Sequence, residues 1–405
     1  MKLLLPLLWC VFVPMGVHSL HYRRKTARLQ HQAAVAINSV VDSNNKLGLR
    51  LLQTAGERNV LLSPLSVNVV LNMVLLGARG RTAYQMSNQL SHPDKKGLSM
   101  LLKQMTSTGG YNRATSLDMA SAMLIEEGAP FNESYHREIE DLFDANLAVA
   151  QFAQNPDEIV KEVNGWARHK TRGRIDKFLE QAPDAATKML VLNAMYFKGN
   201  WKTQFDPEFT EPRAFHNQDG SISRVPMMFL ISGFEFGHDN ALDADVLKLP
   251  YADDQFSMIL MLPRNRQNSI GDVVQGLSAS KLDAILGHLA TENVELSMPK
   301  LSVHQLLKLR GALEQLGLKV PFSESANFSG ISTKLDLKLN EVMHKAALDV
   351  DEEGTRAVAA TQAQFVSKSL VQFTQFTIDR PFLALIRHEK TGAILFLAQI
   401  VSMAE

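Results

Sequence analysis

The chain reads as an α+β protein built on large β-sheets, and three observations carry that reading. Apolar residues at helical spacing concentrate in the first third of the chain, while strand-like runs dominate the rest. Neither an internal repeat nor a low-complexity linker interrupts it. With 405 residues, 45% of them hydrophobic, the chain is long enough to bury a large core.

The elements follow in order. Residues 20–31 (LHYRRKTARLQH) are basic and polar and read as a short arm. Residues 32–54 carry Val35, Ile37, Val40, Val41, Leu47, Leu49, Leu51 and Leu52 at helical spacing. Ser63-Pro64 is a helix start, with a serine cap and proline in the first turn, and Val67–Leu76 makes that helix buried. Residues 92–112, with Pro93, Gly97, Gly109 and Gly110, mix helix and loop. A strand over Thr115–Ile125, a helix at Asn132 and a helix over Pro156–Lys170 come next, then a strand over Lys188–Lys198. Further strands are expected at Val225–Phe236, Val246–Leu249 and Phe256–Leu262, punctuated by Gly233, Gly237 and Pro250. Ile270–Leu289 reads as a helix, Val294–Met298 as a strand, His304–Leu316 as a helix and Leu335–Val350 as a strand. Thr374–Ile378 and Phe382–Val401 close the chain with strands.

Charge narrows the function classes. The formal net charge is zero, which argues against a nucleic-acid binder held by phosphate neutralisation. Residues 1–19 have the form of a secretory signal peptide: Lys2, an apolar run from Leu3 to Val13, and Val17-His18-Ser19 at the cleavage site. Pro6 and Pro14 and the shortness of the run argue against a membrane anchor, and no membrane partner is expected. The single cysteine, Cys10, lies inside that leader, so the mature protein relies on core packing rather than disulfides. Asn132-Glu133-Ser134 and Asn327-Phe328-Ser329 are glycosylation acceptors consistent with secretion into the extracellular space.

The most unusual stretch is EEGTRAVAATQAQFVSKS, Glu352 to Ser369. After Gly354 it contains no Gly or Pro, unlike an ordinary loop. At period two, Thr355, Ala357, Ala359 and Thr361 share one face, and all are small. A strand that slides between two others and lies on a packed core needs such a face.

Here the chain resembles the serpin family. Glu352, Glu353, Gly354, Thr355, Ala357, Ala359 and Thr361 carry the family's hinge signature. Asn59–Thr82, Val191–Phe205, Leu337–Ala347 and the closing pair Arg380–Phe382 and Gly392–Phe396 are similar to four further family blocks, in the same order. The resemblance implies one serpin domain over residues 32–405, with three β-sheets, about nine helices and an exposed reactive-centre loop at about 353–376. Its register, about fourteen residues beyond the hinge glycine, implies Lys368–Ser369 as the bond offered to a protease. A lysine there suits a trypsin-like pocket with an acid at its base. Counting back from Pro381-Phe382 allows a shift of a few residues, with Phe365 or Val371 then the residue read, for a chymotrypsin-like or elastase-like target. Ser63, Ser66, Asn193 and His344 match the family's shutter, a polar set beneath the sheet that opens.

The function implied is a secreted, monomeric suicide-substrate inhibitor of a trypsin-like serine protease, with no catalysis of its own. The alternative is a non-inhibitory serpin acting as carrier, storage or chaperone-like protein; the small hinge face speaks against it. A Ser63–His344 hydrolase is a weaker rival, since no G-x-S-x-G elbow surrounds Ser63. No metal or cofactor is expected, because the histidines lack ligand spacing and no phosphate loop is present. Arg23, Arg24, Lys25 and Arg28, and Arg168, His169, Lys170, Arg172 and Arg174, form basic runs. Such runs can bind a glycosaminoglycan activator, but a solvated surface is the preferred reading. Lys95 and Lys96 add only a thin signal. Ala398 stands where the family usually has glycine, and its methyl group is expected to crowd the last strand slightly.

Overall fold

The computed structural model describes residues 15–91, 94–106, 115–128, 131–265, 269–334, 336–353 and 372–403, with side chains from residue 31 onward. In chain order the elements are α1 (Met15–Gln53), β1 (Val60–Leu62), α2 (Pro64–Gly77), α3 (Gly80–Gln89), α4 (Lys95–Thr106), β2 (Thr115–Glu126), α5 (Glu133–Phe143), β3 (Asn146–Ala150), α6 (Pro156–Lys170) and β4 (Met189–Gly199). Then come β5 (Glu211–His216), β6 (Ile222–Asp239), β7 (Ala244–Pro250), β8 (Phe256–Pro263), α7 (Ile270–Gly276), α8 (Ala279–Leu286), β9 (Ala290–Pro299), β10 (Leu301–Lys308) and α9 (Arg310–Gln315). Finally β11 (Glu341–Val350), β12 (Thr374–Thr377), β13 (Phe382–His388) and β14 (Ile394–Ile400) complete the described chain. The nine α-helices among the described residues meet the expectation of about nine.

Local chemistry explains the helix starts. Ser63 caps α2 by accepting from the Ser66 amide at 3.4 Å, and Pro64 opens the first turn without wasting a donor. Val67, Val69, Val70, Met73 and Val74 are all buried, so α2 is apolar on nearly every side and runs through the core. Asn132 caps α5 by accepting from the Ser134 amide at 3.0 Å. In α6, Asp157 and Glu158 sit in the first turn and Arg168, His169 and Lys170 in the last, each complementing the helix dipole.

The strands form two sheets. One has the order β10-β11-β4-β2-β3. The other runs β1-β14-β13-β8-β7-β6-β9-β12, with β5 paired to β6. Three sheets were expected. Two of them are one hydrogen-bonded ladder here, because the 18-residue strand β6 serves both. Its N-terminal part pairs with β5, Met227–Phe236 pairs with β9, and Glu235–Asp239 pairs with β7. Burial along β6 switches parity near Met227 and Met228, both buried, as the strand passes from one layer to the next.

Other expectations need correction. The helix expected over His304–Leu316 is strand β10 up to Lys308, with only Arg310–Gln315 helical. Eight register pairs with β11 outweigh the helix-compatible side chains of that segment. The strand expected from Leu335 begins at Glu341, because the amides of Leu339 and Asn340 bond to Pro321 O and Met189 O instead of a ladder. The helix expected over Ile270–Leu289 is two, with Ser278 capping the second. Residues 20–31, expected as an arm, lie within α1. The expected loop limit at 376 runs into β12, which starts at Thr374. Strands β1, β3 and β5 carried no signal of their own. The methyl of Ala398 meets small Ala384 as its register partner and is accommodated in the core.

Two apolar clusters hold the layers. The larger lies between the helices and both sheets, around α2, β8, β13 and β14. The smaller lies on the other face of the five-stranded sheet, under α6, and includes Phe152, Ile159, Val163, Phe178 and Tyr196.

A glycine pair tests this packing. A Cβ on Gly48 of α1 would stand 2.2 Å from Pro64 Cγ at the start of α2, while one on Gly165 of α6 would meet nothing within 4 Å. Gly48→Ala is expected to cost about 1–3 kcal/mol through overpacking. Gly165→Ala should gain roughly 0.5–1 kcal/mol by helix propensity. Thermal unfolding midpoints of the two variants should therefore move in opposite directions.

Candidate functional site

The centre of the five-stranded sheet is a parallel seam. β11 and β4 pair in register from Glu341↔Leu190 to Leu348↔Phe197. Each also has an antiparallel neighbour, β10 beside β11 and β2 beside β4. A strand entering the seam antiparallel to both would replace one parallel ladder by two antiparallel ones. Parallel pairing is slightly weaker per residue, so the exchange is favourable for the backbone.

Ser63, Ser66, Asn193 and His344 are brought together beneath this seam, all fully buried. His344 and Asn193 are register partners across it. The Ser63 amide donates to His344 Nε2 at 2.9 Å. Nε2 therefore carries no proton, and the ring proton on Nδ1 donates to Asn193 Oδ1 at 2.8 Å. Asn193 Nδ2 passes the chain on to Ala120 O at 3.3 Å and Ser121 Oγ at 3.2 Å on β2. Ser66 Oγ lies 3.5 Å from His344 Nδ1. One polar chain thus ties the start of α2 to β11, β4 and β2. Burial pushes the His344 pKa down to about 3. A neutral ring is also what the Ser63 bond demands.

This geometry is not a hydrolase. Ser63 Oγ bonds to Met195 Sδ at 2.7 Å, and it is the Ser63 main chain that meets the imidazole. An amide, Asn193, occupies the place an orienting carboxylate would take.

At the top of the seam, β11 leads to Asp351, Glu352 and Glu353. Lys198 of β4 pairs with Asp351 at 2.7 Å, and Trp201 Nε1 donates to Asp351 O at 2.9 Å. The Trp201 ring stacks on Tyr251 at 4.4 Å. Glu352 is buried, paired with Lys300 at 2.7 Å and bonded by Thr210 Oγ1 at 2.7 Å. Burial raises its pKa, but Lys300 and Thr210 outweigh that and hold the carboxyl below its usual range. These partners come from β4, from the residue that joins β9 to β10 and from the segment before β5. Asp351, Lys300 and Thr210 escaped sequence reasoning because they are isolated polar residues that only the fold brings together.

Gly354, Thr355, Ala357, Ala359, Thr361, Lys368 and Ser369 lie outside the described residues, as do Phe365 and Val371. Asn132 and Asn327 are both exposed. Next to Asn327, Phe328 is buried. The second basic run is largely engaged: Arg168 pairs with Asp176 at 3.0 Å, Lys170 with Asp144 at 3.4 Å, and Arg172 with Asp118. Arg174 sits over the Tyr196 ring at 5.3 Å. Lys95 pairs with Glu138.

Comparison with known proteins matches this architecture. A family model described as Serpin (serine protease inhibitor) matches residues 42–403. Iripin-8 of Ixodes ricinus is 32% identical over 373 residues, covering 88% of this chain and 92% of that protein. Human Serpin B8 is 32% identical over 378 residues, covering 90% and 100%. Among solved structures, native protease nexin-1 with heparin superposes with a TM-score of 0.80 at 27% identity, covering 92% of this chain and 99% of that one. Uncleaved ovalbumin gives 0.81 at 26% identity, covering 90% and 100%.

The buried imidazole predicts an acid dependence. The folded pKa of about 3 lies below the ordinary histidine value of 6.5, so the unfolded chain binds a proton that the folded one refuses. Stability must therefore fall as pH drops below about 6.5, by up to roughly 1.4 kcal/mol per unit from this group. His388, also lowered by burial, acts in the same sense. The thermal midpoint should drop between pH 7.5 and 4.5 in the parent and drop measurably less in His344→Gln. Parallel curves would remove His344 as a source of the slope.

Proposed function

The chain belongs to the serpin family, and on that premise we propose that it is a secreted suicide-substrate inhibitor of an extracellular trypsin-like serine protease. One observation carries the reading. The segment that follows β11 carries small residues at alternate positions, and β11 itself borders a parallel seam that gains by taking in an antiparallel strand. The protease serine oxygen attacks the carbonyl carbon of Lys368; the amide nitrogen of Ser369 leaves with a proton, and an acyl ester remains. The ends of the segment are anchored in different sheets, β11 in one and β12, paired to β9, in the other. Cleavage removes that tether, so the freed strand enters the seam and carries the esterified protease with it. The uncut state is then a kinetic trap.

Glu352, Glu353, Gly354, Thr355, Ala357, Ala359 and Thr361 act as the hinge in this scheme. Ser63, Ser66, Asn193 and His344 act as the latch that must re-pair when the strands part. The small, uncharged hinge face favours inhibition over a carrier role. No cofactor is needed. A neighbouring structure was solved with heparin, which favours a glycosaminoglycan as the first accessory partner to try, although most of the second basic run already has acidic partners. The leader at 1–19 and exposed Asn132 and Asn327 support secretion and glycosylation. A relative from Tachypleus tridentatus, 31% identical, is named an intracellular coagulation inhibitor, so the route of export needs its own measurement. Expression in animal cells should release protein trimmed after Ser19 into the medium; retention with the leader intact would overturn the secretory reading.

Incubation with trypsin-like proteases should yield a complex that survives SDS, with the cut at Lys368–Ser369. Lys368→Glu should slow its formation at least about a hundredfold, since a like charge now faces the acidic pocket. Cutting at Phe365 or Val371 would move the target class.

Thr355→Arg tests insertion itself. A guanidinium forced into the packed core costs several kcal/mol. This variant should be cut normally yet trap at least about tenfold less protease per molecule cleaved, while Arg356→Thr on the outward face should trap like the parent. Equal trapping by Thr355→Arg and the parent would sink the insertion mechanism.

A further inference from the structure

On the outer face of the five-stranded sheet, beside the segment that leaves α6, lies a cleft of about 750 Å³. That volume is in the range of small-molecule sites. Leu306 and Lys308 of β10, Met343 and Lys345 of β11 and Leu190 of β4 line one side; Pro183 of the crossing segment faces them. Register places Leu306 opposite Lys345 and Lys308 opposite Met343, so the two lysines are diagonal neighbours on one face. Among the described residues neither ammonium makes a hydrogen bond or ion pair, whereas Arg310 pairs with Glu314 at 3.0 Å and Lys338 with Glu324.

The acids of the cleft are committed elsewhere. Glu341 accepts from the amides of Arg310 at 2.8 Å and Val342 at 2.9 Å, Asp184 from the Ala186 amide at 2.8 Å, and Glu180 lies 3.9 Å from Lys177. Burial pushes the Glu341 carboxyl up, against the Arg310 and Val342 amides and the charges of Lys308 and Arg310. Burial pushes the Lys345 ammonium down, with Glu180 opposing and Lys177 reinforcing. His304 at the margin faces Asp349 at 3.5 Å. Lys308 feels the charge of Glu341 and Lys345 that of Glu180, yet among the described residues neither ammonium makes a hydrogen bond or ion pair with an acid.

We infer that this cleft binds a small amphipathic organic anion, its carboxylate or sulfonate between Lys345 and Lys308 and its hydrocarbon body against Leu306, Met343 and Leu190. Such a ligand touches β11 and β4 at once, on opposite sides of the seam. Occupancy therefore favours the closed sheet and opposes strand entry, a coupling that rests on the insertion reading above.

Calorimetric titration of the full chain with decanoate should show one site per chain. Decanol, with the tail alone, and sulfate, with the charge alone, should each bind at least about tenfold more weakly than decanoate. Lys345→Gln and Lys308→Gln, checked for an unchanged thermal midpoint, should each weaken decanoate at least about tenfold. Equal binding by both variants, equal binding of decanol, or uptake of many molecules without saturation would overturn the site. Saturating decanoate should also slow protease trapping several-fold in the parent and leave Lys345→Gln unaffected. An unchanged rate with binding intact would overturn the coupling. Absence of trapping without decanoate would overturn the inhibitory reading, while the calorimetry would still decide the site.

Discussion

The hydrogen bond between His344 and Asn193 is the contact on which the sheet depends. It crosses the parallel seam at 2.8 Å in a place with no access to water. Because the imidazole must also accept from the Ser63 amide, the ring has one usable protonation state and one tautomer. The N-terminus of α2, the most deeply buried helix, is thereby tied to the strand pair that would have to part. Losing one member leaves the others as unsatisfied polar groups in the core, at about 1–3 kcal/mol each.

The same arrangement separates what holds the seam from what would fill it. Across β11, the outer face carries Ser302 and His304 on Asp349, with bonds of 2.9 and 3.5 Å. Across β4, Arg172 reaches Asp118 of β2 and Arg174 covers Tyr196. These contacts bind β10 to β11 and the end of α6 to β2 and β4. Among the described residues the polar ties at the seam include the buried chain through His344 beneath it, Asn340 bonded to Lys188 and Met189 at its foot, Tyr196 beside Asp349, and the Lys198–Asp351 and Trp201–Asp351 contacts at its top. A separation at the seam therefore breaks these interactions while leaving each half intact. Glu352, gripped by Lys300 and Thr210, marks where that separation would begin.

Sequence legibility followed periodicity. α6 was readable to its ends, because Pro156, its acidic first turn and its basic last turn all agree with its apolar spacing. β4 was nearly so, being buried on both faces and apolar but for Asn193 and Lys198. β10 was misread because it is an edge strand, half exposed, whose Leu, Gln and Lys side chains suit a helix as well. β1 and β3 are short and take their conformation from partners distant in the chain, Val60 from Gln399 and Asn146 from Ala122, and the short β5 pairs with the next strand, β6. The members of the polar chain were identified by family resemblance. Their roles as donor and acceptor became evident only with their distances.

The sequence by itself determined the family, the buried character of α2, the small alternate residues of Thr355 to Thr361 and the polar identity of Ser63, Asn193 and His344, because each is a property of local residue order. The tertiary structure alone decided that His344 and Asn193 meet in register across a parallel seam, that β6 welds two expected sheets into one, that Lys300 and Thr210 hold Glu352, and that Lys308 and Lys345 share a cleft. Each of these depends on pairing between strands or segments far apart in the chain. Strand register and layer crossing set such distances, and no local pattern encodes them.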